Sequence, residues 1–451
     1  MDKLVEEEKG HVLALPFPAQ GHINPMFQFS KRLVSKGLKV TLLVAFLNNP
    51  ESIPHQAGKI KVETISNPTQ GEALKKIEGF LEFFQEVVSI NLGQVIEKQR
   101  NMGNPISCLV YDSVLPWALD IAKQFGLIAA PLFTQPCADS KSGLISMAGL
   151  PQLEIFDLPS FFSDVKSYPT MLGHMTRQFS NFREADCILV NTFESLEEEV
   201  VSCMASQWSP FENIGPTIPS MFLDKRLKDD KDYEVSLFKQ EAETCRKWLD
   251  TKEDGSVVYV AFGSMAASGE EEMKELAWGV KNSNKHFLWV VRESEMEKLP
   301  RNFIEETKAG EKGVVVSWCP QLEVLAHRAV GCFVTHCGSN STLEALCLGV
   351  AIPQWTDQPT NAKFVTDVWR VGIRVKVDEK GKATRKEIEK CIRLVMEGEK
   401  GLEIKRSLSN WLKRLWMKAE ALISVVHQTV YIMLKLAINY NNIRANQYGN
   451  L

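Results

Sequence analysis

WCPQLEVLAHRAVGCFVTHCGSNSTLEALCLGVAIPQWTDQPTN, residues Trp318 to Asn361, is the stretch on which the reading of this chain turns. Within it Gly331–Thr335 (GCFVT) is apolar enough for a buried strand, and His336, Cys337 and Gly338 form a tight turn. A short helix is predicted to open near Ser339 and Asn340. It closes before Gly349, a residue suited to the left-handed position after a helix end. A strand that feeds through small residues into a helix start leaves backbone N–H groups unpaired and pointing outward, which favours a phosphate. His336, Asn340, Ser341 and Thr342 sit at that mouth with side-chain donors, and Glu344 can accept from a ribose diol. Trp318 and Gln321 offer a flat stacking surface and an amide. Taken singly, each part has a plain structural reading: most tryptophans are core, strand–turn–helix units are generic, and a histidine near a turn is more often structural. Their conjunction in one stretch, closed by Trp355, Asp357 and Gln358, points to a nucleotide site.

Outward from this stretch, the second half of the chain alternates strands and helices. Val257–Phe262 is predicted as a strand, Gly263 and Ser264 as a small-residue turn, and Glu270–Asn282 as a helix. Ser264 can thus donate to a phosphate from the opposite side of the nucleotide. Phe287–Val291 and Gly313–Ser317 are further strands, Thr360–Trp369 a helix and Val371–Val377 a late strand.

The first half begins in the same way. His11–Leu15 is a buried strand, Pro16–Gly21 a loop, and Asn24 with Pro25 a helix start, Asn as N-cap and Pro at the first helical position. Gly37 ends that helix and Lys39–Val44 follows as a second strand, so the two strands are parallel with a right-handed crossover. Ligands of such sheets bind beyond the carboxyl ends of the strands, where His22 lies, and an imidazole takes a proton near neutral pH. Alone, a loop histidine is more often structural. Ile60–Ile65, Ile106–Tyr111 and Cys187–Asn191 read as strands, Ala73–Gln99 and Leu196–Trp208 as helices, and the run Gly126–Phe133 leads to Thr134. Asp112 ends one strand, a position where a carboxylate can simply cap the next helix. Gly215–Ser220 and the charged run Leu223–Tyr233 mark a linker. Residues 1–217, a linker 218–247, residues 248–420 and a tail 421–451 are the expected divisions. Ala138–Gln178 mixes prolines and phenylalanines and gives no clear element.

With 451 residues the chain can hold two ordinary domains, and 44% hydrophobic with 24% charged residues is the composition of a soluble globular protein. A net charge of −4 gives no basis for binding nucleic acid. Ten cysteines without a CxxC pair indicate neither a zinc site nor a disulfide framework. The start MDKLVEEEKG is acidic and no secretory signal, so a cytosolic protein is expected.

WCPQ, HRAVGCFVTHCG, NSTLEA and PQWTDQ resemble the sugar-nucleotide box of plant UDP-dependent glycosyltransferases, and PAQGHINP resembles that family's N-terminal motif. The likeness covers nearly all of residues 10–420. Within the family it is greatest to enzymes that glucosylate salicylate, auxin-like acids and triterpenoids, through YDSVLPWALDIA and WCPQLEVLAH. It implies an α/β protein of GT-B architecture, two facing Rossmann-like doubly wound domains with a cleft between them. It further implies His22 as general base and Asp112 as the carboxylate that orients it, with Thr134 near the donor sugar. Ser264, Trp318, Cys319, Gln321, His336, Gly338, Ser339, Asn340, Ser341 and Glu344 would bind the nucleotide, and Asp357 and Gln358 the sugar hydroxyls. The implied reaction transfers glucose from UDP-glucose to a hydroxyl or carboxyl of a small lipophilic acceptor, inverting the anomeric centre. The donor is a co-substrate, and no metal or other cofactor is expected.

Three departures from the family pattern stand out. Ser339 occupies the place of a usual Trp, which predicts a loosened turn. GVAIPQWTDQ is about three residues shorter than the pattern, and an odd-numbered change in a strand is expected to turn Asp357 and Gln358 to the wrong face. Beyond Trp416–Ala421 the likeness ends. Leu422–Leu451 reads as a tail with roughly 17 largely apolar residues, too interrupted for stable membrane insertion. These departures motivate an alternative, a catalytically impaired relative that still binds UDP-sugar. A nicotinamide oxidoreductase is disfavoured, because no GxGxxG follows the first strand. Acceptor identity and oligomeric state are not written in the sequence.

Overall fold

Runs such as VVYVA suit strands whose sheet is covered on both faces, and the chain builds two such sheets. The computed structural model describes residues 10–46, 56–67, 77–134, 151–208, 210–223, 225, 227, 230–233, 235–345, 349–379 and 381–411. The tail 421–451 and the first part of Ala138–Gln178 lie outside them. The first sheet comprises β1 (His11–Leu15), β2 (Lys39–Ala45), β3 (Gln56–Ala57), β4 (Ile60–Ile65), β5 (Cys108–Asp112), β6 (Ile128–Phe133), β7 (Ile188–Val190) and β8 (Phe211–Asn213). Their order is β3-β4-β2-β1-β5-β6-β7-β8, and only the short β3 runs antiparallel to its neighbour. The second comprises β9 (Val257–Ala261), β10 (His286–Val290), β11 (Gly313–Val316), β12 (Val330–Thr335), β13 (Gly349–Ala351) and β14 (Gly372–Arg374). These six are parallel, in the order β11-β10-β9-β12-β13-β14.

Alternation along β1 sends Val12 and Ala14 into a core with Phe27 and Phe29 of the helix Gln20–Ser35. Leu13 and Leu15 enter the opposite core with Phe84 and Leu119. In the second sheet Val258 and Val260 pack with Met273 and Val280, whereas Val257 and Tyr259 pack with Leu249 and Val324. In each sheet the strand order reverses beside its first strand, between β1 and β5 and between β9 and β12. Loops leaving the carboxyl ends at these reversals diverge and open a crevice.

The first helix differs from the sequence reading. It starts at Gln20, not Asn24, so His22 lies in its first turn and Pro25 is internal. An internal proline lacks the N–H that would reach the carbonyl four residues back. That carbonyl belongs to Gly21, and Asn340 Nδ2 donates to it at 2.6 Å from the other half of the chain. Gly349, expected just past a helix end, opens β13 instead, and the preceding helix runs Ser339–Ala345. Thr360–Trp369 resolves into a helix Gln358–Lys363 continued by a π turn Phe364–Val368.

Ile155–Asp157 and the turn at Ser160 strap the first half onto the second. Buried Asp157 accepts from Arg374 Nη1 at 2.6 Å and pairs with Lys363 Nζ at 3.6 Å, and Thr360 Oγ1 donates to its carbonyl at 2.7 Å. Ser160 N donates to Thr356 O at 2.9 Å, and Thr356 N donates back to Ser160 Oγ at 2.7 Å. Removing a buried partner strands the others, but the Arg374 and Lys363 side chains remain 26% and 21% exposed, which softens the loss. Asp157→Ala is expected to lower stability by about 2 kcal/mol, read as a fall in the urea midpoint.

Candidate active site

β1 and β5 are adjacent, so the loop after β1 and the end of β5 meet at the first sheet's reversal. His22 Nδ1 lies 2.7 Å from Oδ2 of Asp112, the last residue of β5 and fully buried. Phe17 N–H donates to the same oxygen at 3.3 Å, and Val114 N–H to Oδ1 at 3.3 Å. The carboxylate is thereby fixed from behind, and Nε2 is left as the nitrogen that can exchange a proton with a ligand. Burial alone would lower the His22 pKa. The Asp112 charge and hydrogen bond, with a smaller contribution from Asp357, outweigh it and hold the imidazole above its ordinary value. Thr134 Oγ1, just past β6, is 3.4 Å from His22 Nδ1.

One cavity of about 470 Å³ lies between the sheets, within the range of small-molecule sites. His22, Thr134, Ser264, Trp318, Cys319, Gln321, His336, Gly338, Ser339, Asn340, Ser341, Glu344, Asp357 and Gln358 all line it. Asp112 stands behind His22. At the second reversal, Ser264 follows β9 and His336 follows β12. The His336 ring is clamped by two glycines, since a Cβ at Gly263 would sit 2.7 Å from its Nε2 and one at Gly338 2.6 Å. Burial dominates its titration and pushes its pKa down to about 4, against the opposing Asp357 charge and a backbone hydrogen bond to Ala261, so the ring is uncharged.

Trp318 is half-buried, with one face stacked on Phe238 at 4.2 Å and 24°. Cys319 is buried and places its thiol 3.3 Å from the Tyr259 hydroxyl. Gln321 Nε2 donates to Ser341 Oγ at 3.0 Å and to Glu344 Oε2 at 2.7 Å. Tyr233 Oη donates to Glu344 Oε1 at 2.6 Å. Burial raises the Glu344 pKa, and these two hydrogen bonds counter it in part.

The departures from the family pattern acquire a structural account. Ser339 Oγ donates to Asp357 Oδ2 at 2.7 Å, as does Asn361 Nδ2 at 2.7 Å, so the small residue is tied down by the carboxylate it faces. Asp357 and Gln358 both reach the cavity despite the shortened strand, with Gln358 Oε1 accepting from Gln354 N at 2.9 Å and Trp355 N at 3.1 Å. Sequence reasoning missed Tyr233, Gln20 and Asn361. Gln20 had a signal, a glutamine in a loop after the first strand. It clips the linker to the first helix, donating to Val235 O at 3.0 Å and accepting from Leu237 N at 2.7 Å.

Two parallel doubly wound sheets that face each other across a shared cavity define a GT-B protein. The chain matches the family described as "UDP-glucoronosyl and UDP-glucosyl transferase" over residues 217–414, and that described as "Glycosyltransferase, N-terminal domain" over residues 8–57. It is 49% identical over 426 residues to UDP-glycosyltransferase 74F2 of Arabidopsis thaliana, covering 90% of this chain and 94% of that one. To the flavonol 7-O-beta-glucosyltransferase UGT74F1 of Arabidopsis thaliana it is 46% identical over 429 residues, covering 90% and 94%. The crystal structure of Os79 from O. sativa in complex with UDP superposes with a TM-score of 0.86 at 33% identity, covering 95% of this chain and 100% of that one. The chain belongs to the plant family 1 UDP-glycosyltransferases, enzymes that transfer a glycosyl group from a UDP-sugar. No helix among the described residues is long and apolar enough to cross a membrane.

Proposed function

We propose that this enzyme transfers glucose from UDP-glucose, with inversion, to a hydroxyl or carboxyl of a small lipophilic acceptor such as a phenolic, an auxin-like acid or a terpenoid. The observation that carries the reading is the shared cavity. His22, backed by Asp112, opens into the same space as the turn His336–Ser341, and Asp357 lies near enough to His22 to affect its charge. In the proposed step His22 Nε2 takes the proton of the acceptor hydroxyl while the oxygen forms a bond to the anomeric carbon. The bond from that carbon to the diphosphate oxygen breaks, and its electron pair leaves with UDP. Attack on the far face converts an α-linked donor into a β-glucoside.

Charge on the leaving diphosphate would be met by His336, Ser341, Ser264 and the N–H groups at Gly338, Ser339 and Asn340. Trp318 would take the base, with the Cys319 main chain and the Gln321 amide at its edge, and Glu344 the ribose. Asp357 and Gln358 would hold the sugar hydroxyls, with Thr134 near them. Residues 1–217 then carry the acceptor, 248–420 the donor, and 218–247 joins them. The glucosyl activity in the name of the flavonol relative supports glucose as donor. Free cysteines throughout the described residues fit a reducing compartment such as the cytosol.

Incubation with UDP-glucose, UDP-galactose, UDP-xylose or UDP-glucuronate and a panel of phenols, aryl acids and triterpenoids tests the proposal by mass spectrometry. UDP-glucose should give the most product, as a β-glucoside. Tight UDP binding with no transfer to any acceptor would select the impaired alternative.

A further inference from the structure

Tyr233 belongs to the linker, yet it borders the cavity and sends its hydroxyl to Glu344 Oε1 at 2.6 Å. The main chain on either side of it is held by the first helix of the other half. The Asp232 carbonyl accepts from Gln28 Nε2 at 3.1 Å and Lys31 Nζ at 2.8 Å, and the Val235 carbonyl from Gln20 Nε2 at 3.0 Å. The tyrosine is thus presented to Glu344 from an anchored backbone. The second carboxylate oxygen is held as firmly, because Tyr259 Oη donates to Gln321 Oε1 at 3.1 Å and so turns Gln321 Nε2 towards Glu344 Oε2 at 2.7 Å.

An ionised carboxylate offers about four acceptor sites. Among the described residues Tyr233 fills one on Oε1 and Gln321 one on Oε2, which leaves one site on each oxygen. Glu344 is only partly buried and borders the cavity, so a ligand with two neighbouring hydroxyls matches that remainder. Burial raises the Glu344 pKa, and both hydrogen bonds work against that rise, in favour of the anion that accepts more strongly. We propose that Tyr233 is a positioning residue for the ribose of the donor: its hydroxyl fixes the Glu344 carboxylate so that the two unused sites meet the 2′- and 3′-hydroxyls together. This rests on the UDP-sugar reading given above and adds a linker residue to it.

Equilibrium titration of the full chain with UDP and with 2′,3′-dideoxyuridine diphosphate tests this. The native protein is expected to bind UDP about tenfold more tightly than the dideoxy analogue, as hydrogen bonds to a charged group would give. Tyr233→Phe removes one oxygen and keeps the ring. It should weaken UDP about fivefold and leave binding of the analogue as it was, so the gap narrows. In Glu344→Ala the gap should vanish, and Tyr233→Phe added to that background should change nothing further. With UDP-glucose, Tyr233→Phe should raise KM more than it lowers kcat, the pattern of a contact made alike in ground and transition states. Tighter UDP binding in Tyr233→Phe would make the hydroxyl an obstacle to the ribose, and equal losses for both nucleotides would mean general damage. Either result overturns the proposal, as does a gap that is absent from the native protein or unchanged in the variant. A Tyr233-dependent gap in a protein that forms no glucoside with any acceptor would sink the transfer reading and leave this one standing.

Discussion

His22→Ala is expected to lower kcat by about 10²- to 10⁴-fold, the contribution of a positioned general base, while UDP affinity changes little. The argument is geometric. Nδ1 is engaged by Asp112 at 2.7 Å, so the tautomer that leaves Nε2 bare is the one the carboxylate favours, and the alanine variant has no other base at that spot. Single-turnover rates and UDP titration on one preparation check it. A variant that retains native kcat would remove His22 from the chemistry.

The pH dependence has a defined sign. In the proposed step His22 must be neutral to act as base, and its pKa lies above the ordinary histidine value, so kcat/KM is expected to rise with pH through that raised value. Asp112→Asn removes the charge that opposes burial, and the acid limb therefore moves to lower pH even as the plateau falls. Stability responds in the opposite sense. The stabilisation from the His22–Asp112 contact is complete below the unfolded histidine pKa and fades as pH rises through the folded one.

Sequence alone carried the sheets well, because strands covered on both faces must be continuously apolar. Val257–Ala261 and Val330–Thr335 are bounded within a residue of their expected ends. The positions of His22 and Asp112 were legible for a related reason, since residues at carboxyl ends of parallel strands next to a reversal have few places to go. Less legible was anything settled by a distant partner. Pro25 reads as a helix start, yet the helix begins earlier, and the carbonyl that the proline leaves unbonded is taken by Asn340 from far along the chain. Tyr233 lies in a charged run that reads as linker, but its hydroxyl reaches Glu344. The expected misfacing of Asp357 and Gln358 did not occur. β13 is only Gly349–Ala351, so the loop that follows it, rather than strand register, aims those side chains.

Gly338→Ala is expected to reduce kcat/KM by about 10²-fold or more and to cost about 1–3 kcal/mol of stability through overpacking. The added Cβ would fall 2.6 Å from His336 Nε2, too close for any real contact. A flexible side chain could swing away, but this ring is 8% exposed and Gly263 also packs close to it, where a Cβ would lie 2.7 Å from the same nitrogen. In the proposed site the imidazole must then leave its place beside the diphosphate, or the turn that would supply the neighbouring N–H groups must open. Either change removes charge-directed hydrogen bonds from the leaving group. A double-mutant cycle separates the route from general damage. His336→Ala alone should weaken UDP binding by roughly 10- to 10²-fold, the loss of one hydrogen bond to a charged group. In that background Gly338→Ala should add little, because the atom it displaces is gone and the space is vacant. If the two losses multiply instead, the glycine acts on the turn's backbone and not through the ring, and the clamp around His336 is not what holds the cradle.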